Sequence, residues 1–140
     1  MFASKLPNLG TTIFTTMSAL AAEHGALNLS QGFPNFEADS KLLRLLGEFT
    51  EKGYNQYAPM TGLHALREQL SQKTEKLYGA IYDIDHEITI TSGATEAIFA
   101  AIAATVGKGD EVIVFEPAYD SYLPAIELNG GVPVYITLLY

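Results

Sequence analysis

The run Thr91-Ser-Gly-Ala-Thr95-Glu-Ala is the sharpest chemical feature of the chain: a β-branched segment passes through a glycine turn into an apolar stretch of helical character. The first N–H groups of a helix have no intrahelical acceptor, and the helix dipole adds positive potential there. The backbone N–H groups of Gly93, Ala94 and Thr95, with the Thr95 hydroxyl, therefore suit a phosphate. The same residues would also serve as an ordinary strand-to-helix turn. A second feature is Phe115-Glu-Pro-Ala-Tyr-Asp-Ser-Tyr122, at the end of the next apolar run. Ligands of open α/β sheets lie outside the carboxyl ends of the strands, so Tyr119 is placed to offer its ring to a planar ligand whose phosphate lies at Gly93 to Thr95. Packing in a core is the plainer use of such a tyrosine.

Other chemistries lack their residues. Gly107-Lys-Gly109 is followed by Asp110, not Ser or Thr, and no G-x-G-x-x-G or G-x-S-x-G run occurs. His24, His64 and His86 are far apart without metal-ligand spacing, so surface or capping positions are expected for them and no metal site is assigned. With no cysteine, neither a disulfide framework nor a thiolate site is available. A formal charge of -8 without a basic cluster argues against nucleic acid as a partner. No stretch approaches the ~20 apolar residues of a bilayer span, and Met1 to Gly10 has no signal-peptide run, so a soluble cytoplasmic protein is expected.

Elements that would position these residues follow from periodicity. Apolar residues are 48% of the chain, enough for a packed core. Residues up to about Asn35 combine an apolar stretch, Ile13 to Ala22, with the turn-rich Asn28-Leu-Ser-Gln-Gly-Phe-Pro34, and read as an arm. Leu42, Leu45, Leu46 and Phe49 predict an amphipathic helix capped at Asp39 or Ser40 and ending near Gly53. Leu63, Leu66, Leu70 and Leu77 predict a second, capped by Thr61, with Arg67, Glu68, Lys73 and Lys76 on its surface. Ile88 to Thr91 suits a strand, Ala94 to Val106 a helix buried against a sheet and closed by Gly107, and Glu111 to Phe115 a strand covered on both faces. A helix near Tyr122 to Leu128 and a strand over Val132 to Thr137 complete an α/β order of strand, helix, strand, helix, strand, with parallel crossovers. Neither a repeat nor a low-complexity linker is visible. The last strand has no covering helix after it, so a truncated parent is expected.

Four blocks in order, Asn28 to Phe36, Tyr54 to Arg67, Thr91 to Ala97 and Gly109 to Pro117, resemble successive blocks of the fold-type I pyridoxal-phosphate-dependent aminotransferases. The wording is most similar to the kynurenine and methionine aminotransferase branch. The resemblance implies an α/β fold in which residues 1–37 form an N-terminal arm or part of a small domain, and 38–140 the beginning of the large cofactor-binding domain. It implies that Gly93, Ala94 and Thr95 hold the phosphate of pyridoxal 5'-phosphate, that Tyr119 stacks on its ring, and that Gly32 lies against the substrate. Tyr57 would reach across a homodimer interface to the phosphate of the partner's cofactor. Amino acids and keto acids are the implied substrates. The lysine that would hold the cofactor as a Schiff base belongs downstream, since none of Lys5, Lys41, Lys52, Lys73, Lys76 or Lys108 matches its motif. The acid paired with the pyridine nitrogen and the carboxylate-clamping arginine belong downstream too. No catalytic residue is therefore assigned, and the 140-residue chain alone is expected to be inactive. Alternatives are a carbon–sulfur lyase of the same fold, a non-catalytic cofactor-binding regulatory domain, and a binding or dimerisation module.

Overall fold

The computed structural model describes residues 3–7, 9–32 and 34–139. Its elements are α1 (Ile13–Glu23), α2 (Ser40–Glu51), α3 (His64–Tyr78), α4 (Gly93–Thr105), β1 (Glu111–Glu116), α5 (Tyr122–Leu128) and β2 (Val132–Thr137). They group into two compact units, one made of Met1–Gly32 with Ser92–Tyr140 and the other of Phe33–Thr91.

In the first unit β1 and β2 pair in parallel, with Glu111 opposite Val132 and Glu116 opposite Thr137, and α5 makes the connection between them. Alternation along β1 turns Val112, Val114 and Glu116 inward and leaves Ile113 and Phe115 exposed, at 60% and 58%. The strand is thus covered on one face rather than two. Val114 on its inner face is buried, as are Ala125 and Ile126 of α5, which packs on α4 and β2, and these three form the hydrophobic centre of the unit. Gly131, at the entry to β2, packs without a side chain: a Cβ there would lie 2.7 Å from Val106 Cγ1 and 2.9 Å from Ile126 Cγ2. Helix α4 is apolar as expected, yet none of its residues is buried, and it ends at Thr105 with Val106, not Gly107, as its C-cap. The apolar stretch at the start of the chain is the helix α1, whose N-cap Thr12 accepts from the Thr15 N–H at 3.3 Å.

In the second unit Asp39 caps α2, accepting from the Lys41 N–H at 2.8 Å. Helix α3 starts later than expected, with Leu63 as N-cap and no side-chain cap, so Thr61 does not fill that role. Instead the Thr61 carbonyl accepts the Ile90 N–H at 3.0 Å. Ile88 to Thr91 forms no strand, because the ladder described in this structure joins β1 to β2 only. Arg67, expected on the surface, is 6% exposed. It stands one turn after Leu63 and one turn before Leu70, on the inner face, and reaches the Ile84 carbonyl with Nη1.

The chain exposes 11850 Å², where a self-contained globule of 15.2 kDa exposes roughly 7,100 Å². Much apolar surface therefore remains uncovered among the described residues.

A tight loop follows α3. Asp83 Oδ1 accepts the Asp85 N–H at 2.8 Å and the His86 N–H and Nδ1 at 2.9 Å each, and Glu87 accepts the Asp83 N–H at 2.7 Å. The Asp85 N–H first, and then the His86 ring and N–H, hold the Asp83 carboxyl below its ordinary 3.8. A carboxylate depressed by folding adds stability that is fully present above its ordinary value and lost as pH falls through the lower folded one. Asp83→Asn keeps an acceptor but removes the charge, and is expected to flatten the acid-side pH dependence of amide exchange at Asp85 and His86. In the other unit, Ile126→Ala is expected to cost about 3 kcal/mol in thermal unfolding, against under about 0.5 kcal/mol for exposed Leu43→Ala.

Candidate functional site

The head of α4 is made by Ser92 and Gly93. Gly93 has φ +83, in the left-handed region, and this turn leads the backbone into the helix. Ser92 is the N-cap, but its side chain caps nothing; the Glu96 carboxylate instead accepts the Ser92 N–H, folding back over the turn. This use of Glu96 has no local sequence signal, because a capping box puts the carboxylate three residues after the cap and Glu96 stands four after Ser92. The first-turn N–H groups at Ala94 and Thr95 point out of the helix end, as those of any first turn do.

Thr95 and Tyr119, 24 residues apart in sequence, meet here: Oγ1 and the phenol oxygen are 3.2 Å apart. Tyr119 is carried by the loop after β1, which begins with the cis peptide Glu116–Pro117, and its ring stands edge-on to Tyr122 at 5.8 Å between centroids. The Thr95 hydrogen bond first, and Ser121 second, lower the Tyr119 phenol below its ordinary value of 10.0, while burial and the Asp120 charge oppose them.

Tyr119, Asp120 and Ser121 line one side of a cavity of about 960 Å³, and Gly32 with Gln31 and the α1 residues Phe14 and Thr15 lines another. The structure thus brings Gly32, Tyr119 and, through the hydroxyl pair, Thr95 into one neighbourhood. Gly32 has open space where a Cβ would stand, so a ligand can approach its backbone closely. Phe14, Asp120 and Ser121 belong to this neighbourhood without having been singled out, since a helix face and a loop carry no local motif. Gly93 likewise has nothing within 4 Å of a built Cβ. Tyr57, in the other unit, is fully exposed on the turn between α2 and α3. Phe33, inside the first of the four sequence blocks, lies outside the described residues. His24, His64 and His86 are all exposed, His24 as the C-cap of α1 and His86 against Asp83.

The donors and the ring fit an anionic, planar ligand such as pyridoxal phosphate: helix-head N–H groups and a hydroxyl for a phosphate, and a tyrosine face for a ring. No helix of the described residues is long and apolar enough to cross a membrane.

Comparison with known proteins agrees in kind. The sequence model of the family described as "Aminotransferase class I and II" matches residues 25–139. The methionine aminotransferase of Escherichia coli is 62% identical over 129 residues, which are 92% of this chain and 33% of that protein. The kynurenine–oxoglutarate transaminase of Dictyostelium discoideum is 37% identical over 132 residues, 94% of this chain and 30% of that one. Among solved structures, YbdL from Escherichia coli, identified with a methionine aminotransferase function, superposes with a TM-score of 0.94 at 58% identity, covering 99% of this chain and 36% of that chain. The chain thus spans about a third of the length of these relatives. The likeness to the methionine and kynurenine branch is borne out, as is the α/β fold of these transferases.

Thr95→Val removes the hydroxyl that stabilises the Tyr119 phenolate. It is expected to raise the phenol pKa toward 10.0, seen as an alkaline shift of one tyrosine in the ultraviolet phenolate titration, with Tyr119→Phe deleting that component.

Proposed function

Because the chain belongs to the class I and II aminotransferases, we propose that it forms part of a pyridoxal-phosphate-dependent enzyme that moves an amino group from an amino acid to a 2-keto acid. The observation that carries this reading is the Thr95–Tyr119 pair at the head of α4, with Tyr119 and Gly32 lining one cavity.

Pyridoxal phosphate, when bound, supplies an electron sink for the α-carbon of an amino acid. The residues of this chain bind and orient. The N–H groups at Gly93, Ala94 and Thr95 and the Thr95 hydroxyl would hold the phosphate, where the helix dipole adds to each hydrogen bond. The Tyr119 ring would cover one face of the pyridine, and its phenol, tied to Thr95, would keep the ring from rotating away. Gly32, lacking a side chain, would leave room for the amino acid against the backbone. Tyr57, exposed on its turn, would reach the phosphate bound by the partner in a homodimer.

In this reading residues 1–37 act as an N-terminal arm or part of a small domain and 38–140 as the beginning of the large domain, in a cytoplasmic protein. None of Lys5, Lys41, Lys52, Lys73, Lys76 or Lys108 matches the motif of the cofactor lysine, so residues 1–140 bind without catalysing.

Residues 1–140 expressed alone are expected to show no transamination and no stoichiometric adduct after pyridoxal phosphate and borohydride, read by intact mass. The complete polypeptide that carries them is expected to yield a keto acid and a new amino acid, and Thr95→Val there to weaken cofactor binding about tenfold. Thiol and ammonia as products would replace the reading with a carbon–sulfur lyase, and a cofactor affinity indifferent to Thr95 and Tyr119 would remove the assigned site.

A further inference from the structure

Asn129 and Gly130 join α5 to the entry of β2, and theirs is the one asparagine–glycine step in the sequence. Asn8, Asn28, Asn35 and Asn55 are followed by Leu, Leu, Phe and Gln. Asparagine is a thermolabile residue, and most so before glycine, because any other side chain there shields the backbone nitrogen that attacks it. In deamidation the Gly130 backbone nitrogen gives its proton to base and attacks the side-chain carbonyl carbon of Asn129. A C–N bond forms, the bond to Nδ2 breaks, and ammonia leaves with a proton from solvent. Water then opens the cyclic imide at either carbonyl, to aspartate or to isoaspartate, whose main chain runs through the former side chain.

Two hydrogen bonds oppose this reaction in the folded chain. Asn129 Nδ2 donates to the Ala125 carbonyl at 2.8 Å, which holds the side chain back along α5. The Gly130 N–H donates to the Glu127 carbonyl at 3.0 Å. The leaving nitrogen and the attacking nitrogen are thus both engaged, and both acceptors belong to a helix of 7 residues. Short helix ends open at small free-energy cost, and Gly130 is exposed, so base and water reach it when this turn opens.

The joint beyond has no room for the isoaspartate product. The Gly130 carbonyl accepts the Gly109 N–H at 2.8 Å, and the Gly131 N–H donates to the Ile126 carbonyl at 3.0 Å. Gly131 is packed so closely that a Cβ would lie 2.7 Å from Val106 Cγ1. Isoaspartate adds a main-chain atom just ahead of these contacts. We propose that Asn129–Gly130 is a site of spontaneous deamidation gated by the end of α5. It is closed while the two bonds hold, it reacts when the last turn opens, and the isoaspartate form cannot reseat the start of β2.

The test follows amide-to-acid conversion by peptide mass mapping of the complete polypeptide carrying these residues, in mildly alkaline buffer with and without denaturing urea. In urea Asn129 is expected to convert before Asn8, Asn28, Asn35 or Asn55, and in the native protein at least about tenfold more slowly than in urea. Ile126→Ala, which loosens the packing behind this turn, is expected to raise the native rate about tenfold and leave the rate in urea unchanged. Should that variant fail to fold, urea below the unfolding transition serves instead: deamidation at Asn129 and hydrogen exchange at the Gly130 amide are expected to rise by the same factor. Another asparagine converting first in urea would overturn the site. Equal native and denatured rates, or a native rate that neither Ile126→Ala nor low urea moves, would overturn the gate. The isoaspartate form, isolated by anion exchange, is expected to unfold at a lower temperature than its parent, and an unchanged Tm would show that the joint accepts it and overturn that part.

Discussion

One backbone angle governs the site. At Gly93 the chain turns with φ +83, and a non-glycine residue held there would lose about 1–2 kcal/mol. Nothing lies within 4 Å of the position a Cβ would take, so the demand is conformational and not steric. Everything assigned to the anion depends on this turn. It aims the first N–H groups of α4 outward, and it places Thr95 where its hydroxyl meets Tyr119 from a loop 24 residues later. Gly62 differs: its positive φ and the nearness of Ile90 both exclude a side chain. One glycine aims groups at a ligand, and the other lets two pieces of backbone close on each other.

The uncovered surface has a single physical origin. A parallel sheet needs cover on both faces, because each strand alternates apolar residues to either side. Here β1 buries Val114 and leaves Ile113 and Phe115 outside, and α4 keeps no residue buried despite an almost wholly apolar sequence. Hydrophobic pattern states which side chains require cover. It does not state which part of a polypeptide provides it, and so the expectation of a doubly covered strand and a buried α4 exceeded what the described residues contain.

How much could be read in advance depended on how local each cause is. Asp39 as a cap, the bounds of α5 and β2, and the glycine turn at Gly93 follow from neighbours in sequence, and all are found. The strand at Ile88 to Thr91 failed because β-branched residues favour an extended chain but a strand needs a pairing partner. Arg67 failed because charge was weighed above position: its place one turn after Leu63 and one before Leu70 already put it on the inner stripe. Of the site, Gly93, Ala94, Thr95 and Tyr119 were legible from motif chemistry. Gly32 and Tyr57 were named by resemblance alone, since an isolated glycine or an exposed tyrosine carries no chemical signal of its own.

The Thr95–Tyr119 bond also bears on how such a site responds to an anion. A hydroxyl has one proton to give. In the structure that proton, or that of the phenol, is shared between two neutral oxygens 3.2 Å apart, longer than the usual O–H···O bond. A phosphate at the head of α4 would be a charged acceptor in the field of the helix dipole, and charge-assisted hydrogen bonds are roughly twice as strong as neutral ones. Thr95 would then donate to the anion while still accepting from the Tyr119 phenol, so the tyrosine ring would stay tethered as the anion binds. The two roles assigned to this pair, holding a phosphate and fixing a ring, are therefore compatible only with a protonated phenol.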